Sequence, residues 1–512
     1  MMHISLFLLV ATLASSVFGK TQGGCGCFNR ALEKCLAANH VPFKVRCDSD
    51  WADYNKTFNS RLQFTPAAVV LPNNPKHVSA AVVCAGKNGV KVQAKSGGHS
   101  YGSYSTGGID GQVMIDLRNF NETALSPKGT GVAVVGGGVR LGPMAKAVHA
   151  QGNRAISHGE CPSVGIGGHA THGGWGYTSR AWGLSLDHVV EMQVVLANGT
   201  QTRASPHSNP DLYWAMRGAA DSIGIATSFS MRTQPAPEEV INFTYEFRTV
   251  LESVEQAVRA FTWLQNYISN STAVDRRLSF ALQTDVAMDP VTRAVTKTFL
   301  VHGTFLGGLA EYTASIEPEM LRGLPAATGR DVTSHDYLGS LAKLSPDGTL
   351  DGGPSYANFF ANSVTIDNPG INEEALTDYF TYMLAGAPPP VPYVSSMELW
   401  GGADGQIDLA AKKAPSFAAF PHRNVFWTAH NRAQYPPQIP LPDEAIAYLN
   451  GLRHAILQRL DVGSAAYPAL LDASLTREEA HAVYYGDAVM ERLRRVKAVY
   501  DPGNVFSNPQ SV

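Results

Sequence analysis

Short apolar runs separated by glycine-rich turns dominate residues 66–151 of the chain. Apolar, β-branched runs of strand length occupy residues 67–71, 90–94, 113–117 and 132–138. Residues 75–87 and 141–151 instead repeat their apolar positions at helical spacing. This alternation predicts small sheets with helices packed on them.

Longer alternating runs replace the short ones in residues 240–400. The pattern there predicts strands at 241–248, 278–284 and 295–302 and an amphipathic helix at 252–268. Such a succession is typical of an antiparallel sheet with helices behind it. Near the end of the chain, residues 477–499 are predicted to form one charged amphipathic helix. The two halves together predict an α+β fold.

The bulk composition limits the classes of protein that fit. The chain has 512 residues, a formal net charge of −3 and 44% hydrophobic residues. This length suits two or three domains, and the apolar fraction is enough for a core that shields a cofactor. No run of lysine and arginine is present. Nucleic acid and anionic membranes are therefore poor candidate partners.

The N-terminus has the features of a secretory signal peptide. Residues 4–10 form a short apolar run, too short to span a membrane, and small residues follow it. We therefore predict a signal at residues 1–19, cleaved near Gly19 or Lys20, with a buried N-terminal helix as the alternative. Glycosylation sequons, which support export, begin at Asn55, Asn121, Asn198, Asn242 and Asn270.

The six cysteines lie at positions 25, 27, 35, 47, 84 and 161. An exported protein would oxidise the five N-terminal cysteines in pairs, which leaves one thiol over. Cys161 stands apart from the others in a glycine-rich loop, and this isolation calls for a chemical explanation.

Glycines recur directly after the predicted strands, at 97–98, 136–138, 165–168 and 173–174. Glycine lets backbone N–H groups approach a pyrophosphate closely, because no Cβ stands in the way. The spacing does not match the Gly-X-Gly-X-X-Gly fingerprint of a Rossmann domain, and no P-loop is present. The pattern therefore does not support an NAD(P)-dependent reductase.

Two segments carry the most specific signal in the chain. They are Ser96-Gly97-Gly98-His99-Ser100-Tyr101-Gly102 and Gly159-Glu160-Cys161-Pro162-Ser163-Val164-Gly165-Ile166-Gly167-Gly168-His169. Together they resemble the two flavin-attachment segments of the berberine-bridge-enzyme-like FAD-linked oxidases, within the vanillyl-alcohol-oxidase superfamily. Inside that family the resemblance is strongest to the fungal gluco-oligosaccharide and chito-oligosaccharide oxidases.

The resemblance implies FAD bound covalently through both His99 and Cys161. Such a histidine needs a neutral imidazole nitrogen, and the cysteine needs thiolate character to add to the flavin ring. Taken without the resemblance, His99 would be a hydrogen-bonded structural residue and Cys161 a small buried one. The other positions that match the family's cofactor-binding segments are Ser96, Gly97, Gly98, Ser100, Gly102, Gly165, Gly168, His169 and Gly174.

The resemblance also implies a domain organisation and a disulfide. The expected parts are a two-lobed FAD-binding domain of the PCMH type at 20–236, a substrate domain with a helix-backed antiparallel sheet at 237–474, and a segment returning to the FAD-binding domain at 475–512. A disulfide is suggested between Cys35 and Cys84. Cys47 would then pair with Cys25 or Cys27.

Oxidation of an alcohol requires a base that accepts the hydroxyl proton. The related oligosaccharide oxidases carry a carboxylate on a strand before an aromatic residue and a Gly-Gly pair, and Glu398 holds that place here. The alternative is a strand glutamate that faces solvent or pairs with an arginine. The family's usual tyrosine is replaced by Leu470, which cannot accept a proton. Tyr467, which matches a neighbouring tyrosine of that motif, and Tyr101 are the other candidate catalytic residues.

The positions that recognise glucose in the related enzymes differ in this chain. Ala281 and Gln283 stand where the gluco-oligosaccharide oxidases carry an arginine and a glutamate, and Ser396 replaces a glutamine. Glu160 replaces a small residue beside the cysteine. The cofactor segments are thus retained while the sugar-recognising groups are not. The spacing of histidines and cysteines matches no zinc pattern, and we predict no metal site.

These observations predict a secreted FAD-dependent oxidase that oxidises an alcohol or the C1 hydroxyl of an oligosaccharide and reduces O2 to H2O2. We expect it to act as a monomer. A second hypothesis, favoured by Leu470 and the altered subsites, is an oxidoreductase of secondary metabolism that dehydrogenates or cyclises a small molecule. A third, a flavoprotein that binds without turnover, conflicts with the retention of both attachment residues.

Overall fold

The computed structural model describes residues 29–126, 130–353, 356–413 and 418–512. The predicted signal peptide lies outside these residues, as do Cys25 and Cys27. Two small sheets come first in the chain and a larger sheet follows them. The α+β fold class predicted from the hydrophobic pattern is confirmed.

The first sheet is mostly parallel and is buried by helices. Its strands are β1 (Phe43–Lys44), β2 (Ala68–Val70), β3 (Val92–Lys95) and β4 (Val113–Asp116). They lie in the order β1-β2-β4-β3, with β2, β3 and β4 parallel. The helices of this part are α1 (Arg30–Ala38), α2 (Trp51–Tyr54) and α3 (Pro75–Lys87). The apolar faces of α1 and α3 pack on the sheet, which accounts for its continuous apolar strands.

The second sheet is antiparallel. Its strands are β5 (Thr123–Leu125), β6 (Val132–Gly136), β8 (Val189–Val195), β9 (Gln201–Ala204) and β10 (Ile225–Arg232), in the order β5-β6-β10-β8-β9. A separate ribbon pairs β7 (Arg154–Ala155) with β11 (Gln234–Pro235). The accompanying helices are α4 (Leu141–Gly152), α5 (Ile166–His169), α6 (Ser179–Trp182), α7 (Ser185–His188) and α8 (Pro210–Met216).

The third sheet has eight antiparallel strands. They are β12 (Val240–Phe247), β13 (Leu278–Met288), β14 (Val295–Phe305), β15 (Gly329–His335), β16 (Asn358–Asp367), β17 (Tyr393–Leu399), β18 (Val425–Tyr435) and β19 (Ser464–Ala465). Their order is β15-β12-β14-β13-β17-β18-β16-β19. Successive side chains point to opposite faces, so one face is apolar and the other polar.

Helices cover the apolar face of this sheet. The helices of this part are α9 (Val254–Ser269), α10 (Leu309–Glu311), α11 (Glu317–Leu321), α12 (Tyr337–Leu344), α13 (Glu373–Ala385), α14 (Gln406–Lys413) and α15 (Asp443–Leu457). Phe280, Met397 and Trp427 on the sheet join Phe261 of α9 and Leu452 of α15 in one core. The helix-backed antiparallel sheet predicted for this half is therefore confirmed. The polar face of the sheet faces the first half of the chain.

The single helix predicted over residues 477–499 is wrong. The chain forms two helices there, α16 (Arg477–Tyr484) and α17 (Gly486–Tyr500). Gly486 has φ +67°, a left-handed conformation that glycine adopts without the cost of a Cβ clash. Charged residues on both sides of this break keep the same helical spacing, so the pattern did not reveal it.

The end of the chain packs against the first sheet. Val92 N–H of β3 donates to the Val505 carbonyl over 2.8 Å. The Lys497 ammonium donates to the Asp501 carboxylate over 2.7 Å and to the Phe506 carbonyl over 2.7 Å. These contacts agree with the expectation that residues 475–512 return to the FAD-binding domain. The domain boundaries stay a prediction.

The Cys35–Cys84 disulfide is confirmed, and Cys161 has a free thiol. The choice between Cys25 and Cys27 as partner of Cys47 concerns residues outside the described part. The sequon at Asn242 is a poor indicator of export, because its side chain is 3% exposed between two neighbouring strands. No helix in the described ranges has the length and apolarity to cross a membrane.

Candidate active site

Glycines bring the two predicted attachment segments into direct contact. A Cβ on Gly97 would lie 2.3 Å from the Gly165 nitrogen, and one on Gly165 would lie 2.0 Å from the Gly97 nitrogen. Neither loop can therefore carry a side chain at this point. The Ser96 hydroxyl links the same loops, since it donates to the Gly137 carbonyl over 2.6 Å and accepts from Gly167 N–H over 3.2 Å.

Ser163 lies between the two predicted attachment residues. Its Oγ is 2.8 Å from His99 Nε2 and 3.4 Å from Cys161 Sγ. Phe58 stacks on the His99 ring, with ring centroids 4.3 Å apart. The imidazole and the thiol, far apart in sequence, are thus held within reach of one hydroxyl group.

His99 is held as a neutral imidazole. Burial, aided by the positive charges of Arg140 and Arg432, lowers the pKa of His99 from 6.5 to about 4. The ring therefore lacks its second proton at neutral pH. This is the protonation state that a nucleophilic attack by a ring nitrogen requires.

A cavity of about 400 Å³ opens beside His99. Its walls include the backbone of Gly97 and Gly98 and the cationic side chains of Lys95 and Arg140. Exposed glycine backbone and flanking cations suit a pyrophosphate group. The residues present therefore fit the diphosphate part of FAD.

The remaining predicted cofactor residues shape the loops around this cavity. Ser100 Oγ accepts a hydrogen bond from Tyr104 N–H over 3.0 Å. His169 Nε2 accepts from Gly159 N–H over 3.0 Å, and burial lowers its pKa to about 3. The remaining positions are glycines: Gly102 packs against Leu471, Gly168 faces open space and Gly174 has φ +83°.

The polar face of the large sheet carries the predicted base. Across β13, β17 and β18 the register aligns Ala281, Glu398 and Thr428 in one row. The next row on the same face aligns Gln283 and Ser396 with His430. The predicted base and the altered sugar-recognition positions therefore share one surface.

Glu398 is neither solvent-facing nor paired with an arginine in this arrangement. Its side chain is 14% exposed, and its Oε1 lies 3.7 Å from Nδ1 of His430. Sequence reasoning missed His430, because nothing local in the sequence marks it. Only the pairing of β17 with β18 brings the two side chains together.

Tyr101, in the first predicted attachment segment, packs between Phe58 and His430. Its ring lies 6.0 Å from Phe58 and 5.9 Å from His430, measured between centroids. Burial, together with the charges of Glu398 and Cys161 and opposed by Arg432, raises its pKa to about 12. The phenol therefore stays protonated at neutral pH and can donate a hydrogen bond.

The Tyr467 hydroxyl is engaged with the backbone. It accepts hydrogen bonds from Gly174 N–H over 2.8 Å and from Trp175 N–H over 3.2 Å. Burial raises the pKa of Tyr467, so it remains a phenol. Leu470 packs at the edge of the apolar cluster that contains Tyr467 and Trp400. The structure thus places Tyr467 where it holds a glycine turn.

A second, small cavity lies beside Glu160. It has a volume of about 20 Å³ and is lined by Glu160, His158 and Tyr177 among others. Burial, together with the charge of Glu398, raises the pKa of Glu160 to about 8. The Tyr177 hydroxyl is 3.0 Å from His302 Nδ1. This corner therefore adds an acid that is protonated at neutral pH and a Tyr–His pair, neither of which was predicted.

Among the described residues, no three histidine, cysteine or acidic side chains are placed to hold a metal ion.

Comparisons with known proteins agree with this geometry. The family model described as FAD binding domain matches residues 66–205, and the one described as berberine and berberine like matches residues 447–512. The chain is 32% identical to the xylooligosaccharide oxidase of Thermothelomyces thermophilus, over 99% of each chain. It is also 32% identical to the FAD-linked oxidoreductase dpmaF of Metarhizium anisopliae, over 94% of this chain and 91% of that protein.

A solved structure provides a similar fold. The glucooligosaccharide oxidase of Acremonium strictum, studied for its 6-S-cysteinyl, 8α-N1-histidyl FAD, matches with a TM-score of 0.85 at 29% identity. The match covers 94% of this chain and 99% of that one.

Proposed function

Because this chain belongs to the berberine-bridge-enzyme-like family of FAD-linked oxidoreductases, we propose that it is a secreted oxidase with doubly tethered FAD. It is an FAD-dependent oxidoreductase acting on CH–OH groups. Its proposed reaction is oxidation of the C1 hydroxyl of an oligosaccharide, or of another alcohol, with O2 reduced to H2O2. Several relatives are named as xylo-, chito- and glucooligosaccharide oxidases, which supports a sugar substrate.

The observation that carries this proposal is the position of Ser163 between His99 and Cys161. We infer that His99 Nε2–H donates to Ser163 Oγ and that the Ser163 hydroxyl donates to Cys161 Sγ. This arrangement leaves Nδ1 of His99 with a free lone pair. It also gives the sulfur a hydrogen bond that favours the thiolate. Both groups are then in the form that attachment to a flavin requires.

The cavity beside His99 is where we place the rest of the cofactor. Lys95 and Arg140 would face the diphosphate, and the Gly97–Gly98 backbone would approach it closely. Bound FAD supplies the acceptor for the hydride that leaves the substrate carbon. The protein's own task is to orient the substrate and to remove its hydroxyl proton.

We assign proton removal to the wall that carries Glu398. Its carboxylate is largely shielded from water and has a histidine beside it. Tyr101, whose pKa is raised to about 12, is suited to donate a hydrogen bond to the substrate rather than to take its proton. Tyr467, which was expected to be catalytic, is assigned instead to positioning Gly174 and Trp175.

A second function is favoured by the sheet surface. Ala281 and Gln283 do not offer the charged pair expected of a glucose-binding oxidase. The chain is as similar in sequence to the FAD-linked oxidoreductase dpmaF as it is to the xylooligosaccharide oxidase. This similarity supports a substrate other than an oligosaccharide. The second candidate is therefore dehydrogenation or oxidative cyclisation of a small molecule by the same cofactor and base.

Export is supported by the Cys35–Cys84 disulfide, since structural disulfides form in oxidising compartments. The side chains of three predicted glycosylation sites, Asn121, Asn198 and Asn270, are exposed. Proteomic analysis of culture medium from the producing organism would test secretion directly.

Anaerobic reduction of the purified protein tests the reaction. The visible absorbance would be followed after addition of cellobiose, xylobiose, N,N′-diacetylchitobiose or an aromatic alcohol. Rapid bleaching by a sugar, followed by H2O2 release on admission of O2, is the expected result. Bleaching by the aromatic alcohol alone would favour the second function. A protein that stays colourless after reconstitution with FAD would overturn both.

A further inference from the structure

We propose that His430, oriented by Glu398, is the group that takes the hydroxyl proton from the substrate. The inference rests on the proposed function and deepens it, because it names the atom that receives the proton. In this arrangement Glu398 is the positioning carboxylate and Nε2 of His430 is the proton acceptor.

The first support is the contact between the two side chains. Nδ1 of His430 lies 3.7 Å from Oε1 of Glu398. The strand register pairs His430 with Ser396 and Glu398 with Thr428, so the two are diagonal neighbours on one face. Their side chains are only 16% and 14% exposed, which limits screening of their interaction by water. A carboxylate beside an imidazole favours the ring orientation and tautomer that turn an N–H toward it.

The second support is the other ring nitrogen. Nε2 of His430 is buried and has no hydrogen-bond partner in the described part of the chain. Leaving a buried polar atom unpaired is costly, and such atoms in a site therefore indicate a missing partner. Thr428 Oγ1, beside Glu398, is unpaired in the same way among the described residues. A hydroxyl-bearing ligand would supply the partner that Nε2 of His430 lacks.

The third support is the position of His430 relative to the flavin-attachment residue. A continuous set of ring contacts leads from His99 to Phe58 at 4.3 Å, from Phe58 to Tyr101 at 6.0 Å, and from Tyr101 to His430 at 5.9 Å. The His430 ring is therefore linked to the predicted attachment residue His99 by a row of packed rings. Leu470, at the family's usual tyrosine position, offers no alternative acceptor, since its side chain is aliphatic.

The charged groups around His430 are few and of both signs. Glu398 on β17 is the carboxylate in contact, and Glu160 interacts electrostatically with Glu398. Arg432 lies two residues further along the same strand, and Tyr101 packs from the other side. The pKa of Glu160 is raised to about 8 by burial and by Glu398, which leaves Glu398 as the carboxylate that faces the imidazole.

The step assigned to His430 is a proton transfer alone. The O–H bond of the substrate breaks, an N–H bond forms at Nε2, and the electron pair of the O–H bond forms the second bond of the new C=O group. The carbon loses a hydride to the bound FAD named in the proposed function, so substrate oxidation is matched by cofactor reduction. The proton then leaves to solvent when His430 returns to neutral.

The experiment compares four variants with the wild type: His430→Gln, Glu398→Gln, the double variant and His454→Gln. His454 is an exposed histidine on α15 and serves as the matched control. Anaerobic flavin reduction would be timed with cellobiose, xylobiose, N,N′-diacetylchitobiose and vanillyl alcohol. Loss of a general base lowers the rate by about 100-fold or more. We expect both single variants to show this loss and the double variant to be no slower than either, because the two residues act as a unit.

A second measurement does not depend on turnover. With 15N-labelled histidine, the His430 imidazole signals are identified by their absence in His430→Gln, and their chemical shifts report which ring nitrogen carries the proton. Removing the carboxylate in Glu398→Gln is expected to shift the tautomer of His430 away from the form with the proton on Nδ1, the nitrogen that faces Glu398. In His454→Gln the His430 signals should be unchanged.

The outcomes separate this inference from the proposed function. If the effects of the two single variants multiply in the double variant, or if Glu398→Gln leaves the His430 tautomer unchanged, the paired role of His430 and Glu398 is wrong. If no sugar or alcohol reduces the wild type, the proposed function fails, while the NMR measurement still decides whether Glu398 orients His430. Full reduction rates in His430→Gln would overturn the inference outright.

Discussion

At the scale of single residues, Ser163 is placed to influence the chemistry of two other side chains. Its hydroxyl is the common partner of His99 and Cys161, and neither residue has another hydroxyl at this distance in the described structure. Ser163 lies inside the second predicted attachment segment, but nothing in the sequence assigned it a role. Its importance follows from the contact of the two glycine-rich loops.

We expect Ser163→Ala to slow covalent attachment of FAD by about tenfold, the effect of losing one hydrogen bond of about 1.4 kcal/mol. Without Oγ, the His99 ring loses its orienting partner and the Cys161 sulfur loses its donor. Apoprotein would be mixed with FAD, and the flavin retained after acid precipitation would be measured over time. Ser269→Ala, on the distant helix α9, is the control. Equal attachment rates in both variants would show that Ser163 has no such role.

Glu160 is expected to make the stability of the protein fall as the pH rises. Its pKa is raised to about 8 by burial and by Glu398. The folded state therefore keeps this proton between pH 4.5 and 8 while the unfolded chain releases it. The stability contribution is complete below the unfolded pKa and declines by about 1.4 kcal/mol per pH unit above it.

Glu160→Gln removes this titration. We expect the difference in melting temperature between variant and wild type to become more favourable to the variant from about pH 5 to about pH 8. Thermal unfolding followed by tryptophan fluorescence at both pH values measures it. Glu444→Gln, an exposed substitution on α15, should show no such trend. A pH-independent difference for Glu160→Gln would mean that its carboxyl group is ionised in the folded state.

Among the secondary-structure elements, the short helix α6 fixes the end of the strand that carries Glu398. Its Arg180 is fully buried and donates to the carbonyls of Gly401 over 2.8 Å and Ala403 over 2.7 Å. A further bond goes to the Leu278 carbonyl at the start of β13. A helix from the first half of the chain thus clamps two strands of the large sheet.

Arg180→Met would leave these carbonyls without donors in a buried position. We expect a loss of at least about 3 kcal/mol, since each unsatisfied buried group costs about 1–3 kcal/mol. The melting temperature measures the loss, and the rate of flavin reduction reports on the displaced Glu398. Arg248→Met removes an exposed salt bridge to Glu246 and should cost less than about 1 kcal/mol. Similar melting temperatures for the two variants would contradict the clamp.

At the scale of the whole molecule, the end of the chain joins the first sheet to the second. Lys497 of α17 donates to Asp501, to the Phe506 carbonyl and to the Ser222 carbonyl. The Asp501 carboxylate in turn accepts the backbone N–H groups of Val505 and Phe506. The carboxylate thus closes the turn that brings Val505 to β3.

Asp501→Asn removes the charge that compensates buried Lys497. We expect a loss of about 3 kcal/mol or more, because the ammonium then remains buried without its counter-ion. Asp211→Asn provides the comparison: it removes a 2.8 Å ion pair between Arg492 of the same helix and a largely exposed aspartate, and should change little. Thermal unfolding measures both variants. A stable Asp501→Asn protein would show that the C-terminal segment is held by its apolar contacts alone.

The sequence by itself determined the features that depend on neighbouring residues. Hydrophobic periodicity gave α3 and the strands β2, β4 and β13, because burial of an alternating or helical stripe is a local requirement. The predicted flavin-attachment segments could also be identified from the sequence, since each is one contiguous loop. The break between α16 and α17 at Gly486 could not be seen in the sequence, because a break of one residue hardly changes the helical pattern.

Only the tertiary structure decided the features that join distant segments. The pairing of β17 with β18 set His430 against Glu398, and loop contact set Ser163 between His99 and Cys161. Strand register is fixed by packing of the whole sheet, and a shift of one residue would turn every side chain to the other face. For that reason the sequence pointed to the proposed flavin-attachment residues and to Glu398, whereas His430 and the place of Ser163 emerged only from the folded structure.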